Sequence, residues 1–194
     1  MKKIFSILFI ILISFTTTLF AEGDQSIKRI FEGEESAKIT IITYESLTCG
    51  HCADFHKNVY PDLKKDFIDK GLVRIEFRHF PLDIAAFNAS KIGQCKNDGK
   101  SEVLHALFAG QKKWAKGKSP EEATTYLKKF LKEEGIKVDF EKCLSNKAIE
   151  DFVLNDRIQG VKKFKVNATP TIIINDKKFE KALNYKNIKK YLEK

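Results

Sequence analysis

Arginine is scarce in this 194-residue chain, which sets 35 Lys and Arg against 26 Asp and Glu for a formal net charge of +9. Most of the excess is lysine on polar stretches, such as Lys128, Lys129, Lys132, Lys162, Lys163, Lys189 and Lys190. A basic balance can mark binding to nucleic acid or to an anionic membrane. The shortage of arginine and the lack of any RNA-binding motif argue against nucleic acid, and solvated helix faces account for the charge. No repeat, low-complexity tract or linker-like composition divides the chain, so one domain is expected. Beyond residue 21 no segment has the length of a membrane span. Cysteine is limited to four residues, none of them near the N-terminus, where a lipid would be attached. Nor is there a second Cys/His cluster of the kind that completes a structural zinc site, so no metal and no cofactor are expected.

The N-terminus sets the compartment. Lys2 and Lys3 precede the apolar run Ile4 to Phe15, followed by Thr16-Thr17-Thr18-Leu19-Phe20-Ala21. A basic start, an apolar middle and a small residue at the end describe a signal peptide over 1–21, cut after Ala21. The uncharged stretch Ile4 to Ala21 would also suit an uncleaved anchor, although its threonines favour the signal. Export admits disulfides.

The chemistry centres on Thr48-Cys49-Gly50-His51-Cys52. Before it, Ile39-Thr40-Ile41-Ile42-Thr43-Tyr44 reads as a buried strand; after it, Phe55, Val59, Leu63 and Phe67 recur at helical spacing. Cys49 therefore sits at or just before a first helical turn, where free N–H groups and the helix dipole favour an anion. A thiolate is such an anion, and a protonated His51 would favour it further. Settings of this kind make a cysteine the attacking sulfur, with Cys52 as resolving partner. With His51 and His56 nearby, the Cys-x-x-Cys spacing would also suit most of a zinc site, or a structural disulfide whose very short loop gains little entropy. The strand–helix junction favours dithiol redox work.

The helix is expected over Cys52–Lys70, kinked at Pro61 and stopped by Gly71. Leu72–Phe77 alternates as a second strand, giving a βαβ unit. Helical segments follow over Leu82–Lys96, Ser101–Lys116 and from Ser119 (N-cap, with Pro120 at N1 and Glu122 at the capping-box position) to Gly135. A short piece at Phe140–Leu144 and a helix over Ala148–Phe164 come next. A hairpin is expected over Thr171–Asn175 and Lys178–Phe179 through Asn175-Asp176-Lys177, then a last helix at Tyr185–Leu192. Residues 22–36 should carry only a short strand or turn. Pro170, in Asn167-Ala168-Thr169-Pro170, either opens a strand as an ordinary trans proline or forms a cis turn packed on the dithiol.

Taken together, Tyr44-Glu45-Ser46-Leu47-Thr48 with the Cys-Gly-His-Cys motif, Arg78-His79-Phe80-Pro81-Leu82-Asp83, the helical block and Ala168-Thr169-Pro170-Thr171 resemble the DsbA-like branch of the thioredoxin superfamily, nearest its alphaproteobacterial-type periplasmic members. The resemblance covers essentially all of the chain after residue 21. It implies an α/β thioredoxin-like fold over 22–81 and 147–194 with a helical insertion over 82–146, and thiol:disulfide oxidoreductase activity. By position it makes Cys49 the exposed nucleophile, Cys52 its partner, and Thr169 with a cis Pro170 the lining of a substrate groove. It implies a monomer acting in the periplasm on reduced, newly exported proteins, reoxidised by a DsbB-like, quinone-linked membrane partner. Gly50 replaces the family's usual proline, and Thr169 is more isomerase-like. Oxidase, isomerase or reductase therefore all stay open, as does a non-catalytic peptide-binding or chaperone module.

Cys95 and Cys143 each fall on an apolar helical stripe. They are either two buried free thiols or a pair, as in some DsbA-like proteins that hold a second disulfide in the helical insertion. Glu45, four residues before Cys49, either lies below the site and helps proton transfer or simply ends the strand. His56 and His105 have no partner legible in sequence, and His79 would lie near the site only if its strand ends there.

Overall fold

The structure is a computed structural model describing residues 26–194; the signal expected over 1–21 lies outside the described residues. Five strands form one sheet in the order β1-β3-β2-β4-β5: β1 Ile30–Glu32, β2 Ile39–Glu45, β3 Val73–His79, β4 Thr171–Ile174 and β5 Lys177–Lys178. β2 runs parallel to β3 and antiparallel to β4, while β1 and β5 close the two edges antiparallel. The β-branched run thus lies at the centre, buried on both faces. Its period-two alternation divides two apolar layers. Ile41 joins Phe55, Ile75 and Ile174 on one face, and Ile42 and Tyr44 join Phe80, Phe164, Val166 and Ile173 on the other.

The helices are α1 Gly50–Asn58, α2 Tyr60–Leu63, α3 Ile84–Gln94, α4 Glu102–Ala109, α5 Gln111–Trp114, α6 Pro120–Glu133, α7 Phe140–Ser145, α8 Lys147–Phe164 and α9 Tyr185–Leu192. The single kinked helix expected after the motif is corrected. It breaks at Val59 (φ −122°, ψ −49°), and Pro61 lies in the first turn of α2, where its missing N–H is one that no helical carbonyl would have accepted. A π-helical turn at Lys64–Ile68 then winds out to Gly71 at φ +69°. The segment expected over Ser101–Lys116 is likewise split at Gly110, where the Phe130 ring lies so close that a Cβ would fall 2.2 Å from it. At α6 the Ser119 hydroxyl caps Glu122 N–H at 3.2 Å, but the Glu122 carboxylate reaches back to Lys118 N–H at 2.7 Å rather than to the cap itself. The hairpin turn is two residues, not three: Asn175 and Asp176 both take positive φ (44° and 63°), and Lys177 already pairs with Ile174.

The face of the sheet that carries α1 shares one apolar cluster with the helical block. Leu107, Trp114, Leu127 and Phe130 pack continuously with Phe55, Leu63 and Phe77. On the other face α8 crosses β2 so closely at Gly160 that a Cβ would lie 2.7 Å from the Tyr44 ring. Cys95 and Cys143 form a disulfide joining the C-terminal end of α3 to α7, with Cα atoms 5.4 Å apart across 48 residues of chain. Closing a loop of that length restricts the unfolded chain by about 4 kcal/mol. Among the described residues, no helix is long and apolar enough to cross a membrane.

Candidate active site

Cys49 stands at the carboxyl end of β2 as the N-cap of α1, with extended φ −77° and ψ 118°, and its sulfur accepts the Cys52 N–H at 3.4 Å. A sulfur is a poor neutral cap but a good one as an anion, because the helix N-terminus offers it unpaired N–H donors. Hydrogen bonding to the Cys52 thiol outweighs the opposing cost of burial. With Thr169 and the backbone N–H groups of Cys52 and His51 added, the Cys49 thiol is brought down to about 5. Cys52 is fully buried. Burial, its hydrogen bond to Cys49 and the negative charge of Glu45 drive its thiol upward, so it stays protonated at any neutral pH. The two sulfurs of one four-residue motif therefore differ sharply: one is an accessible thiolate and the other a sealed thiol.

Thr169 and Pro170 come from the far end of the chain to the same place. The Cys49 sulfur lies 3.4 Å from the Thr169 carbonyl, and the Thr169–Pro170 peptide is cis. His51 is exposed, and beside Thr169, Pro170 and Tyr185 it lines a cleft of about 520 Å³. Its contribution at the Cys49 sulfur is its backbone N–H. Gly50 begins α1, and a Cβ there would meet nothing within 4 Å.

The helical block holds the motif from behind. The Gln111 side chain donates to the carbonyls of Leu47 at 2.8 Å and Cys49 at 3.0 Å. Thr48 donates to Asp83 at 2.7 Å, and Asp83 in turn caps α3. Leu82 and Ile84, exposed at 51% and 59%, flank that contact. Gln111→Ala leaves two carbonyls without this donor, and a lost buried hydrogen bond costs about 1–3 kcal/mol. Urea unfolding of that variant should show a lower midpoint with an unchanged slope; an unchanged midpoint would show that the tie carries no stability.

His56 and His105, unassignable from sequence, meet here. Their Nδ1 atoms are 3.0 Å apart, and His56 Nε2 lies 2.9 Å from Glu45. Both His56 nitrogens are thus engaged, one by His105 and one by Glu45. Among the described residues, no group of three or more His, Cys, Asp or Glu is arranged to hold a metal. His79, at the end of β3, is buried with its imidazole 3.2 Å from Gln94. That bond ties it to α3, and neither of its ring nitrogens is bonded to a cysteine sulfur.

A family model described as thioredoxin matches residues 25–194. The chain belongs to the thioredoxin family. Its fold is thioredoxin-like and similar to DsbA structures: the crystal structure of Wolbachia pipientis alpha-DsbA1 is 29% identical, with a TM-score of 0.76 over 85% of this chain and 89% of that one. Among sequences, disulfide bond formation protein D of Bacillus subtilis is 27% identical over 173 residues, 84% of this chain and 74% of that protein. A Rickettsia bellii protein, provisionally named protein-disulfide oxidoreductase, is 28% identical over 146 residues, 74% of this chain and 55% of its own length. This chain therefore spans little more than half the length of the rickettsial relative.

Proposed function

We propose that this chain is an exported protein thiol:disulfide oxidoreductase that works as a dithiol oxidase, passing a Cys49–Cys52 disulfide to reduced proteins. The observation that carries this reading is the placement that splits the two sulfurs: Cys49 caps α1, where its sulfur accepts the Cys52 N–H at 3.4 Å and is brought down to about 5, while Cys52 is fully buried and driven up. A substrate thiolate attacks the Cys49 sulfur; the Cys49–Cys52 bond breaks and its electron pair goes to Cys52. A second substrate thiolate then attacks the substrate sulfur of the mixed disulfide and expels Cys49, which leaves readily because its thiolate is stable. The substrate gains a disulfide, and the protein keeps both electrons as one thiolate and one thiol. Thr169 and Pro170, beside Cys49, would bound the bound peptide. Residues 1–21 support export and a periplasmic setting, and likeness to DsbA supports a quinone-linked, DsbB-like reoxidant, action as a monomer, and a division into thioredoxin-like parts and a helical insertion over 82–146.

The test is the redox equilibrium of Cys49–Cys52 against a glutathione series, run also with Cys95 and Cys143 replaced. A strongly oxidising pair supports the oxidase. A thioredoxin-like, reducing value would assign a reductase or isomerase instead, and a pair inert to glutathione would leave a peptide-binding role.

The same split sets a pH dependence. In the folded reduced protein Cys49 ionises near 5, whereas an unfolded cysteine ionises near 9.0. A depressed folded value contributes stability that is full above the unfolded value and lost as pH falls through the folded one. Thermal melts of the reduced form, compared with the oxidised form, should therefore gain stability steadily from pH 5 toward 9 and be flat below 5. Cys52, raised in the fold, works in the opposite direction above pH 9. A difference that does not change between pH 5 and 8 would contradict the thiolate assignment.

A further inference from the structure

The turn that carries Cys49 is held from outside its own element. Gln111 opens α5, directly after the break at Gly110, and its buried side chain reaches into that turn. Its amide nitrogen donates to two carbonyls, Leu47 at 2.8 Å and Cys49 at 3.0 Å, which stand on either side of Thr48. The Cys49 carbonyl also accepts the N–H groups of Cys52 at 3.1 Å and Ala53 at 3.2 Å. Three donors thus crowd an oxygen that has two lone pairs. One of the three, the Cys52 N–H, also points at the Cys49 sulfur at 3.4 Å. The carbonyl and the sulfur of one residue compete for a single backbone hydrogen.

We propose that Gln111 is a positioning residue of the thiol–disulfide exchange: by engaging the Cys49 carbonyl and fixing the 47–49 turn, it releases the Cys52 N–H to the Cys49 sulfur and makes that sulfur a better leaving group. This role rests on the oxidoreductase reading and deepens it. The step it serves is the release of Cys49. A second substrate thiolate attacks the substrate sulfur of the mixed disulfide, the bond from that sulfur to Cys49 breaks, and its electron pair goes to Cys49. A thiolate leaves faster the better it is stabilised, and hydrogen bonds to the charged form supply such stabilisation. At this sulfur the Cys52 thiol contributes most, against the cost of burial, and Thr169 and the N–H groups of Cys52 and His51 add to it. Apart from Thr169, these donors belong to the first turn of α1, so each depends on how the preceding turn sets the sulfur against the helix end. Formation of the mixed disulfide differs, because there Cys49 is attacked and Cys52 leaves.

The second tie on the turn has the same origin. The Thr48 hydroxyl donates to Asp83 at 2.7 Å, and Asp83, like Gln111, lies in the chain between β3 and α8. The helical block thereby takes part in the chemistry at Cys49. Asp54, His56 and Lys57 on α1, His105 on α4 and Lys112 on α5 line the groove beside Gln111, and Glu45 acts on Cys52. Replacing the neutral Gln111 by methionine, a side chain of similar length, leaves every one of these charges in place. An effect on Cys49 would then come from the lost donor.

The test compares the native chain with Gln111→Met and with Leu127→Val, which trims a buried side chain of α6 without touching the amide. Three quantities are read: the ultraviolet absorbance of the Cys49 thiolate against pH, the equilibrium of Cys49–Cys52 with glutathione, and the two steps of exchange with a reduced dithiol peptide in stopped flow. In Gln111→Met the thiolate should form about one pH unit higher. The glutathione equilibrium should move about tenfold toward the oxidised protein. The mixed disulfide should form at the native rate and resolve more slowly. Leu127→Val should be less stable to urea and native in all three readouts. A native titration and a native glutathione equilibrium in Gln111→Met, even with a lowered urea midpoint, would overturn the positioning role and leave the oxidoreductase reading intact. The same shifts in Leu127→Val would also overturn it, because loosening of the block would then account for them. If Gln111→Met does not fold, Gln111→Asn, whose amide stops one carbon short of both carbonyls, decides by the same readouts. A native pair that does not exchange with glutathione removes the oxidoreductase reading and the positioning role with it.

Discussion

Cys49→Ser should reduce the oxidation of a dithiol peptide to the uncatalysed rate while leaving the fold intact. The attacked atom must be a sulfur that can form a disulfide and leave as a stable anion. A serine oxygen does neither. The helix, by contrast, keeps its cap: serine is among the preferred N-caps, and its oxygen can accept the Cys52 N–H that the Cys49 sulfur accepts at 3.4 Å. Activity and fold should therefore separate, with circular dichroism near native and turnover gone, while the melting temperature at neutral pH falls below that of the reduced native protein because the thiolate's stabilisation is lost. Cys52→Ser gives the converse signature. It keeps the Cys49 thiolate, so the variant should capture substrates or glutathione as mixed disulfides visible on a non-reducing gel. A Cys49→Ser protein that still oxidised the peptide would end the assignment.

Trp114→Ala should be the most damaging change away from the sulfurs. Trp114 is fully buried, its indole N–H donates to the Leu107 carbonyl at 2.8 Å, and it joins α5 to the cluster under the sheet. A four-residue helix such as α5 has no stability of its own, because nucleation alone costs more than one turn returns. Truncating a buried tryptophan costs about 3–5 kcal/mol, which for a chain of this size lowers the melting temperature by roughly 10–15 °C. The loss should also reach the active site, because Gln111 on the same turn holds the Leu47 and Cys49 carbonyls. A thermal melt within a degree or two of native would show that α5 is held by other means.

The Glu45–His56–His105–Glu32 cluster and the disulfide mark the boundary of what a linear reading reaches. Glu45, His56, His105 and Glu32 lie on four different elements, and no spacing rule joins them. Each alone reads as an ordinary polar or core residue. A signal was available in His56, which falls on the apolar face of a helix with Phe55 and Val59 and so calls for a buried partner. The identity of that partner is a matter of how α4 lies against α1. Cys95 and Cys143 could be named as candidates from composition and compartment, but their pairing depends on α3 and α7 lying side by side. The breaks at Val59 and Gly110 were hidden for a related reason: local propensity continues through both, and tertiary packing interrupts them.

What the sequence determined by itself was local. A β-branched run made the central strand, and a serine, a proline and an acid at fixed offsets started α6. A cysteine before a helical run became the N-cap whose sulfur the helix stabilises as an anion. These follow from interactions within a few residues, and any fold containing the segments would keep them. Only the tertiary structure decided which distant groups those local pieces meet. It laid Thr169 and Pro170 against Cys49, buried Cys52 so that the two thiols separate, and aligned two carboxyls and two imidazoles behind them. Burial and long-range contact set the electrostatics of every one of these groups, and both are properties of the packed whole rather than of any stretch of chain.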